Sequence, residues 1–267
     1  MKIGIIGAGL IGQILANKFN VSGHEIILAD RKGANAIKAV ADAVGVKAVE
    51  LEEVVLDIDV LIVSIPLINI PDLVQTLKGQ IEDKTIIVET TNYWPHRDGN
   101  VDAIDNGMVN SVWVQQQFGR PVVKAFSNIG AYSMAAEGKP SGTADRIALA
   151  VSGDVQQAID VVMGIVDEAG FDPLDAGKLE DSWRQQACGP AYCTDLTLAE
   201  LINARKTTKK DELREKQELA FSKMKELGDE YFDNIVSGNY PDGFVDHAVD
   251  INRAINQLKP RKISSKI

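Results

Sequence analysis

The chain begins "MKIGIIGAGLIGQIL" (residues 1–15), and the reading of that stretch decides the fold. Residues 2–7 are a continuous apolar run, after which Leu10, Ile11, Ile14, Leu15 and Phe19 recur at helical spacing up to the break "SGHE". A strand therefore hands over to a helix through Gly7, Gly9 and Gly12. Gly7 permits the tight turn, Gly9 lets bare main chain approach a pyrophosphate, and Gly12 lets helix and strand pack closely. The helix N-terminus adds unpaired N–H groups and a partial positive charge. Asp30 closes a second strand, "EIILAD", 18 positions beyond Gly12. That context favours a dinucleotide-binding motif over a glycine-rich structural turn. Gly7, Ala8, Gly9, Leu10, Ile11 and Gly12 are the candidate contacts of the loop.

The cofactor's identity stays open at this stage. Asp30 can accept hydrogen bonds from both ribose hydroxyls and would repel a 2′-phosphate, which favours NAD. Arg31 and Lys32 follow at once, and an arginine there can stack on adenine and pair with the phosphate of NADP. The plain alternative is two solvated cations at a strand end.

The alternation repeats along the chain. The spacing predicts a helix around 34–44, a short strand near Ala48, a small helix at 51–55, the strand "DVLIVSIP" (59–66), a helix around 70–78 and the strand "TIIVET" (85–90). A helix near 100–106 and the strand "RPVVKAF" (120–126) follow. Strands apolar on both faces are covered by helices on both sides, so the sheet is parallel. "RIALAVSG" (146–153), a helix at 154–169 and "FDPLDAG" (171–177) either extend this sheet or form a small appendage. The expected class is α/β, a doubly wound, mostly parallel Rossmann-type sheet over residues 1–180 with a helical C-terminal part over 181–267. Thr197 to Val236 reads as mostly helical, and a last helix opens at Pro241. There Phe244, Ala248, Ile251, Ile255 and Leu258 form one apolar stripe, covering the chain's own core or a homodimer interface. "KKDELREK" reads as a solvated helix face and "KPRKISSKI" as a frayed basic tail.

Composition narrows the partners. The 267 residues are 45% hydrophobic and 25% charged, with a formal net charge of −10, which argues against a nucleic-acid or anionic-membrane binder. The longest apolar run, "VLIVSIPLINI", is too short and interrupted to span a bilayer, and with the first strand starting at Met1 no leader is expected. Cys188 and Cys193 in "CGPAYC" match neither a redox pair nor half a zinc site, so reduced thiols and a cytoplasmic location are expected. Carboxyl ends of parallel strands face the ligand crevice. Ser64, Ile65 and Pro66 are thereby candidates for the adenosine half, and Glu89 to Asn92, chiefly Asn92, for the nicotinamide ribose; ordinary strand-to-loop chemistry is the alternative.

Four motifs then occur in order: "GIIGAGLIG", "ETTNYWPHRDG", "VVKAFSNIGAYSM" and "GFDPLDAGKLEDSWRQQ". On these the chain, from residue 1 to about 200, resembles the NADP-dependent oxidoreductases of the deazaflavin coenzyme F-420. "KAFSNIGAYSM" is also similar to the cytosolic domains of the STEAP ferric reductases. The resemblance implies two cofactors in one cleft and direct hydride transfer between nicotinamide and a deazaflavin ring, with protein that positions rather than reacts. It places Asn128, Ile129 and Gly130 near the nicotinamide, where Asn128 would bond the carboxamide unless it is a turn asparagine. No Ser-His-Asp set, paired carboxylates or metal-ligand cluster stands against this, since hydride transfer needs alignment and exclusion of water. Lys124, within a strand, suits a catalytic lysine poorly.

Trp94, Tyr132, Trp183 and Tyr192 offer flat surfaces to a ring-shaped acceptor, or simply fill cores. His96 in "NYWPHRDG" is a candidate proton donor; His24 reads as structural and His247 as a surface residue. Two departures from the family pattern stand out: Asp30 where NADP users tend to carry a small polar residue, and the added helices after about 195. The expected function is an NAD(P)H-dependent oxidoreductase acting on a small redox acceptor, which could be coenzyme F-420, a flavin, a quinone, a ferric chelate or a small carbonyl compound. The alternative is an NAD(P)-binding redox sensor without turnover.

Overall fold

The structure is a computed structural model that describes residues 1–237 and 247–261. The N-terminal half alternates as expected: β1 (Lys2–Ile6), α1 (Leu10–Val21), β2 (Glu25–Ala29), α2 (Ala34–Ala43), β3 (Lys47–Ala48), β4 (Val60–Val63), α3 (Ile70–Thr76) and β5 (Ile86–Glu89). Three helices, α4 (Pro95–Asp98), α5 (Asp102–Asp105) and α6 (Asn110–Phe118), then lead to β6 (Val122–Lys124). The six strands pair in parallel in the order β3-β2-β1-β4-β5-β6. Because β1 is flanked by β2 and β4, the winding reverses there, and the loop after β1 opens into the crevice at that switch point.

Alternation along the strands builds two cores. Ile3 and Ile5 of β1 join Leu15 and Phe19 of α1 on one face, and Ile6 joins Leu61, Ile70 and Val114 on the other. The small helix expected at 51–55 is instead a series of turns. Only Val54 and Val55 of that stretch are fully buried, too narrow a stripe to hold a helix against the sheet. The single helix expected near 100–106 shortens to α5 between α4 and α6.

Beyond β6 the chain forms α7 (Ala131–Ala136), β7 (Ala148–Val151), α8 (Gln156–Glu168) and β8 (Asp172–Asp175). The pair β7-β8 is a separate two-stranded parallel sheet, an appendage rather than an extension. It meets the main sheet through one antiparallel bridge, Lys124 with Ser152, whose two N–H···O bonds are 2.8 and 3.0 Å.

A 3-10 turn (Leu179–Gln185) leads to α9 (Leu198–Thr207), α10 (Leu213–Glu226), α11 (Asp229–Ser237) and α12 (His247–Ile255). A Thr197–Glu200 capping box starts α9, whose Leu201 and Ala204 cover Ala148 and Ala150 of β7. Ile251 and Ile255 of α12 pack with Ala220 and Met224 of α10 on Ala187, Cys188, Trp94 and Tyr192, while Leu258 joins the β7 cluster. The described part of the apolar stripe thus covers the chain's own core; the helix start expected at Pro241, the stripe's Phe244, and residues 262–267 of the tail lie outside the described residues. No helix among the described residues is long and apolar enough to cross a membrane.

Candidate active site

The glycine loop has the geometry its spacing demands. Gly7 has φ +110°, and a Cβ there would lie 2.1 Å from the Ser64 carbonyl oxygen; one on Gly12 would lie 1.9 Å from the Gly7 carbonyl oxygen. Both sites are closed to any side chain. A Cβ on Gly9 would meet nothing within 4 Å, so the space in front of α1 is open. Gly9 is the N-cap of α1 with no side-chain cap, and the first intrahelical bond runs from Gln13 N to the Gly9 oxygen. The N–H groups of Leu10, Ile11 and Gly12 precede that bond, in the position where a diphosphate would accept them. The cradle fits a dinucleotide.

Next to it, the Asp30 carboxylate accepts 3.1 Å bonds from Ala8 N and from Lys32 N, so it also latches the glycine loop. Arg31 and Lys32 are exposed. Ser64, Ile65 and Pro66 are half-buried at the end of β4, with Ser64 N donating to the Ile6 oxygen at 2.8 Å and Ile65 packed beside Gly7. These residues converge on the switch point.

At the ends of β5 and β6 lies a network that composition did not disclose. Lys124 and Glu89 are fully buried and paired at 3.1 Å; Lys124 Nζ also donates to the Thr91 oxygen at 2.8 Å. Thr91 donates to Glu89 through its N–H and its hydroxyl at 2.8 and 2.6 Å, and the Ser111 hydroxyl donates to the same carboxylate. Lys124 is thereby a structural cation. Above it, Phe126 takes φ +55° while packed edge-on against Phe19 at 5.9 Å, so the chain leaves β6 in an uncommon conformation beside the crevice.

Asn92 Nδ2 donates to the Ser127 oxygen at 2.8 Å, whereas Asn92 Oδ1 and Ser127 Oγ are buried without a partner. Two unspent polar atoms at this end of the sheet suit a ligand amide or hydroxyl. Asn128 is placed differently from the expectation. It is buried; its Nδ2 donates to the Ala191 oxygen, its Oδ1 accepts from Ala150 N, both at 3.3 Å, and its carbonyl accepts from Cys193 N at 2.9 Å. Its amide ties β6 to β7 and to the 186–195 loop. Ile129 is buried in the core and Gly130 caps α7.

Of the flat side chains, Trp94 and Tyr192 come together edge-on at 6.1 Å beneath α10 and α12. Burial, together with the neighbouring Cys193 and Cys188 thiols, pushes the Tyr192 phenol well above its ordinary range. Tyr132 sits half-buried on α7. Trp183 stacks under the Arg184 guanidinium at 4.3 Å and lines a separate concavity of about 1000 Å³ with Asp154, Asp175 and Asp181. His96 is exposed and lies flat on Phe221 of α10, 4.2 Å between centroids. His24 bonds Glu168 at 2.5 Å, and His247 is exposed beside the Tyr231 ring. Cys188 and Cys193 are free and buried, and no metal-binding cluster occurs among the described residues.

Loop, strand order and crevice define the class: a dinucleotide-binding α/β protein of the Rossmann type. The family described as "NADP oxidoreductase coenzyme F420-dependent" matches residues 2–93. The putative protein YjhV of Escherichia coli (strain K12) is 37% identical over 107 residues, 38% of this chain and 78% of that protein. Among solved structures, the hypothetical protein SMa0349 from Sinorhizobium meliloti is 30% identical with a TM-score of 0.63, over 72% of this chain and 93% of that one. A putative F420-dependent NADP-reductase from Arthrobacter sp. FB24 is 20% identical with a TM-score of 0.54, over 67% and 85%, a likeness of fold alone. The chain belongs to this F420-dependent NADP oxidoreductase family.

Proposed function

We propose that the protein is a reductase that passes a hydride between a nicotinamide dinucleotide and a small redox acceptor, a deazaflavin or flavin being the form best matched to the family. The observation that carries the reading is the open space at Gly9 between two glycines that admit no side chain. The bound nicotinamide supplies the hydride chemistry. The first-turn N–H groups of α1 hold the diphosphate, Asp30 takes the ribose hydroxyls, and Asn92 Oδ1 and Ser127 Oγ complete the nicotinamide end. Trp94 and Tyr192, an edge-to-face pair roofed by α10 and α12, form an apolar wall beside the Asn92 loop that orients an aromatic acceptor and excludes water. Asn128 acts by holding that wall's loop against β6 and β7.

The test is steady-state oxidation of NADH and NADPH against a panel of deazaflavin, FMN, FAD, a quinone and ferric chelates. Saturable turnover with a ring-shaped acceptor is expected, with a loss of at least about tenfold in kcat/KM in Trp94→Ala. Saturable cofactor binding with no turnover across the panel would instead make the protein a redox sensor.

A further inference from the structure

We infer that this chain selects NAD(H) over NADP(H), against the cofactor in its family's description, and that Glu50 shares the selection with Asp30. The inference rests on the dinucleotide reading above. β2 and β3 pair Ile27 with Lys47 and Leu28 with Ala48, and Val49 N donates to the Leu28 oxygen at 2.9 Å, so Asp30 and Glu50 follow the ends of neighbouring strands. Neighbouring strands lie about 4.8 Å apart, so both carboxylates belong to the carboxyl edge where the adenosine ribose would sit.

Both are fixed by main chain. Asp30 accepts from Ala8 N and Lys32 N, each at 3.1 Å. The N-terminus of α2 is the remaining seat for an anion at this edge, and Glu50 already fills it. Its Oε1 accepts from Ala34 N at 3.1 Å, and its Oε2 lies 3.4 Å from the place of a Gly33 Cβ. Gly33 itself, at φ +83°, folds the turn back so that its N–H reaches the Asp30 main-chain carbonyl oxygen at 2.9 Å.

A 2′-hydroxyl donates to a carboxylate. A 2′-phosphate has only acceptor oxygens and nearly two negative charges to set against them. Arg31 and Lys32 are the cations at hand, but both are exposed and neither makes an ion pair among the described residues. Glu50 is exposed as well, but the two cations stand on free stems whereas both carboxylates are held in place by N–H donors, so the positioned negative charge decides.

Calorimetric titration of the wild type, Glu50→Gln and Asp30→Ser with NADH and NADPH tests this, each variant first shown to melt cooperatively. The wild type is expected to bind NADH at least about tenfold tighter than NADPH. Glu50→Gln is expected to narrow that ratio about threefold or more by improving NADPH while leaving NADH within about twofold. Should Glu50→Gln fold poorly, Glu50→Ser gives the same readout, and the wild-type ratio alone already decides the preference. NADPH bound as tightly as NADH by the wild type, or a ratio indifferent to residue 50, overturns the inference while leaving the dinucleotide site intact. Binding of neither cofactor overturns the site itself and the preference with it.

Discussion

At the scale of single residues, the three glycines differ in what they tolerate. Gly12 lies against the backbone of Gly7, so Gly12→Val forces main chain apart; a loss of about 3 kcal/mol or more in urea unfolding is expected, and an unchanged midpoint would contradict the contact. Asn128 carries a second expectation. Asn128→Ala leaves Ala150 N buried and unpaired, a cost of about 1–3 kcal/mol, and thermal melts should show it before any change in cofactor affinity. The glycines were legible because their role is local: each is dictated by chain that lies a few residues away. Asn128 was legible only as a polar residue after a strand, since its partners Ala150 and Ala191 are distant in sequence and meet it only once β7 and the 186–195 loop are placed. Glu50 was missed for a related reason: its partner Ala34 opens α2 and meets it only once β3 is placed beside β2.

At the scale of elements, β5 and β6 are pinned by the Glu89–Lys124 pair with Thr91 and Ser111 around it. Lys124→Met leaves Glu89 buried with hydroxyl and N–H donors but no cation, and a destabilisation of about 3–5 kcal/mol is expected. Combining it with Glu89→Gln should recover most of that loss; a double variant as unstable as Lys124→Met would sink the pairing. The strands themselves were readable from unbroken apolar runs, and parallel order followed from their being buried on both faces. Their pairing partner was not, because a lysine inside "VVKAF" looks the same in sequence whether it faces a carboxylate or a substrate. The helix expected at 51–55 failed for want of apolar area, a quantity that periodicity over five residues cannot weigh.

For the whole molecule, the C-terminal helices are docked on the sheet-bearing part of the chain. Lys210 Nζ reaches the Gly107 oxygen at 2.9 Å, Gln217 Nε2 the Tyr93 oxygen at 3.1 Å, and Arg214 pairs with Asp105 at 3.4 Å, so α10 and the turn before it are docked along the loop after β5. The stripe of α12 announced that something had to be covered. What it covers, the Cys188–Trp94–Tyr192 cluster, depends on loops that carry no periodic signal. This burial has a pH signature. It raises the Cys188 thiol above its ordinary 9.0 and the Tyr192 phenol above its ordinary 10.0. Above these ordinary values the unfolded chain has released protons that the folded chain keeps, so the stability these two groups contribute is fully present below about pH 9 and is lost as pH rises beyond it. Urea midpoints taken from about pH 8 to pH 10.5 should decline, and Cys188→Ala should decline less steeply; parallel curves would contradict the buried thiol's part.

Dinucleotide binding at the Gly9 loop is tested most directly by calorimetric titration of NADH into the wild type and into Gly9→Val, both shown to be folded by their melts. The open space at Gly9 predicts one saturable site in the wild type and a loss of at least about a hundredfold in affinity in the variant, whose branched side chain stands where the diphosphate would lie. Equal affinity in the two proteins, or no saturation in the wild type, would contradict it.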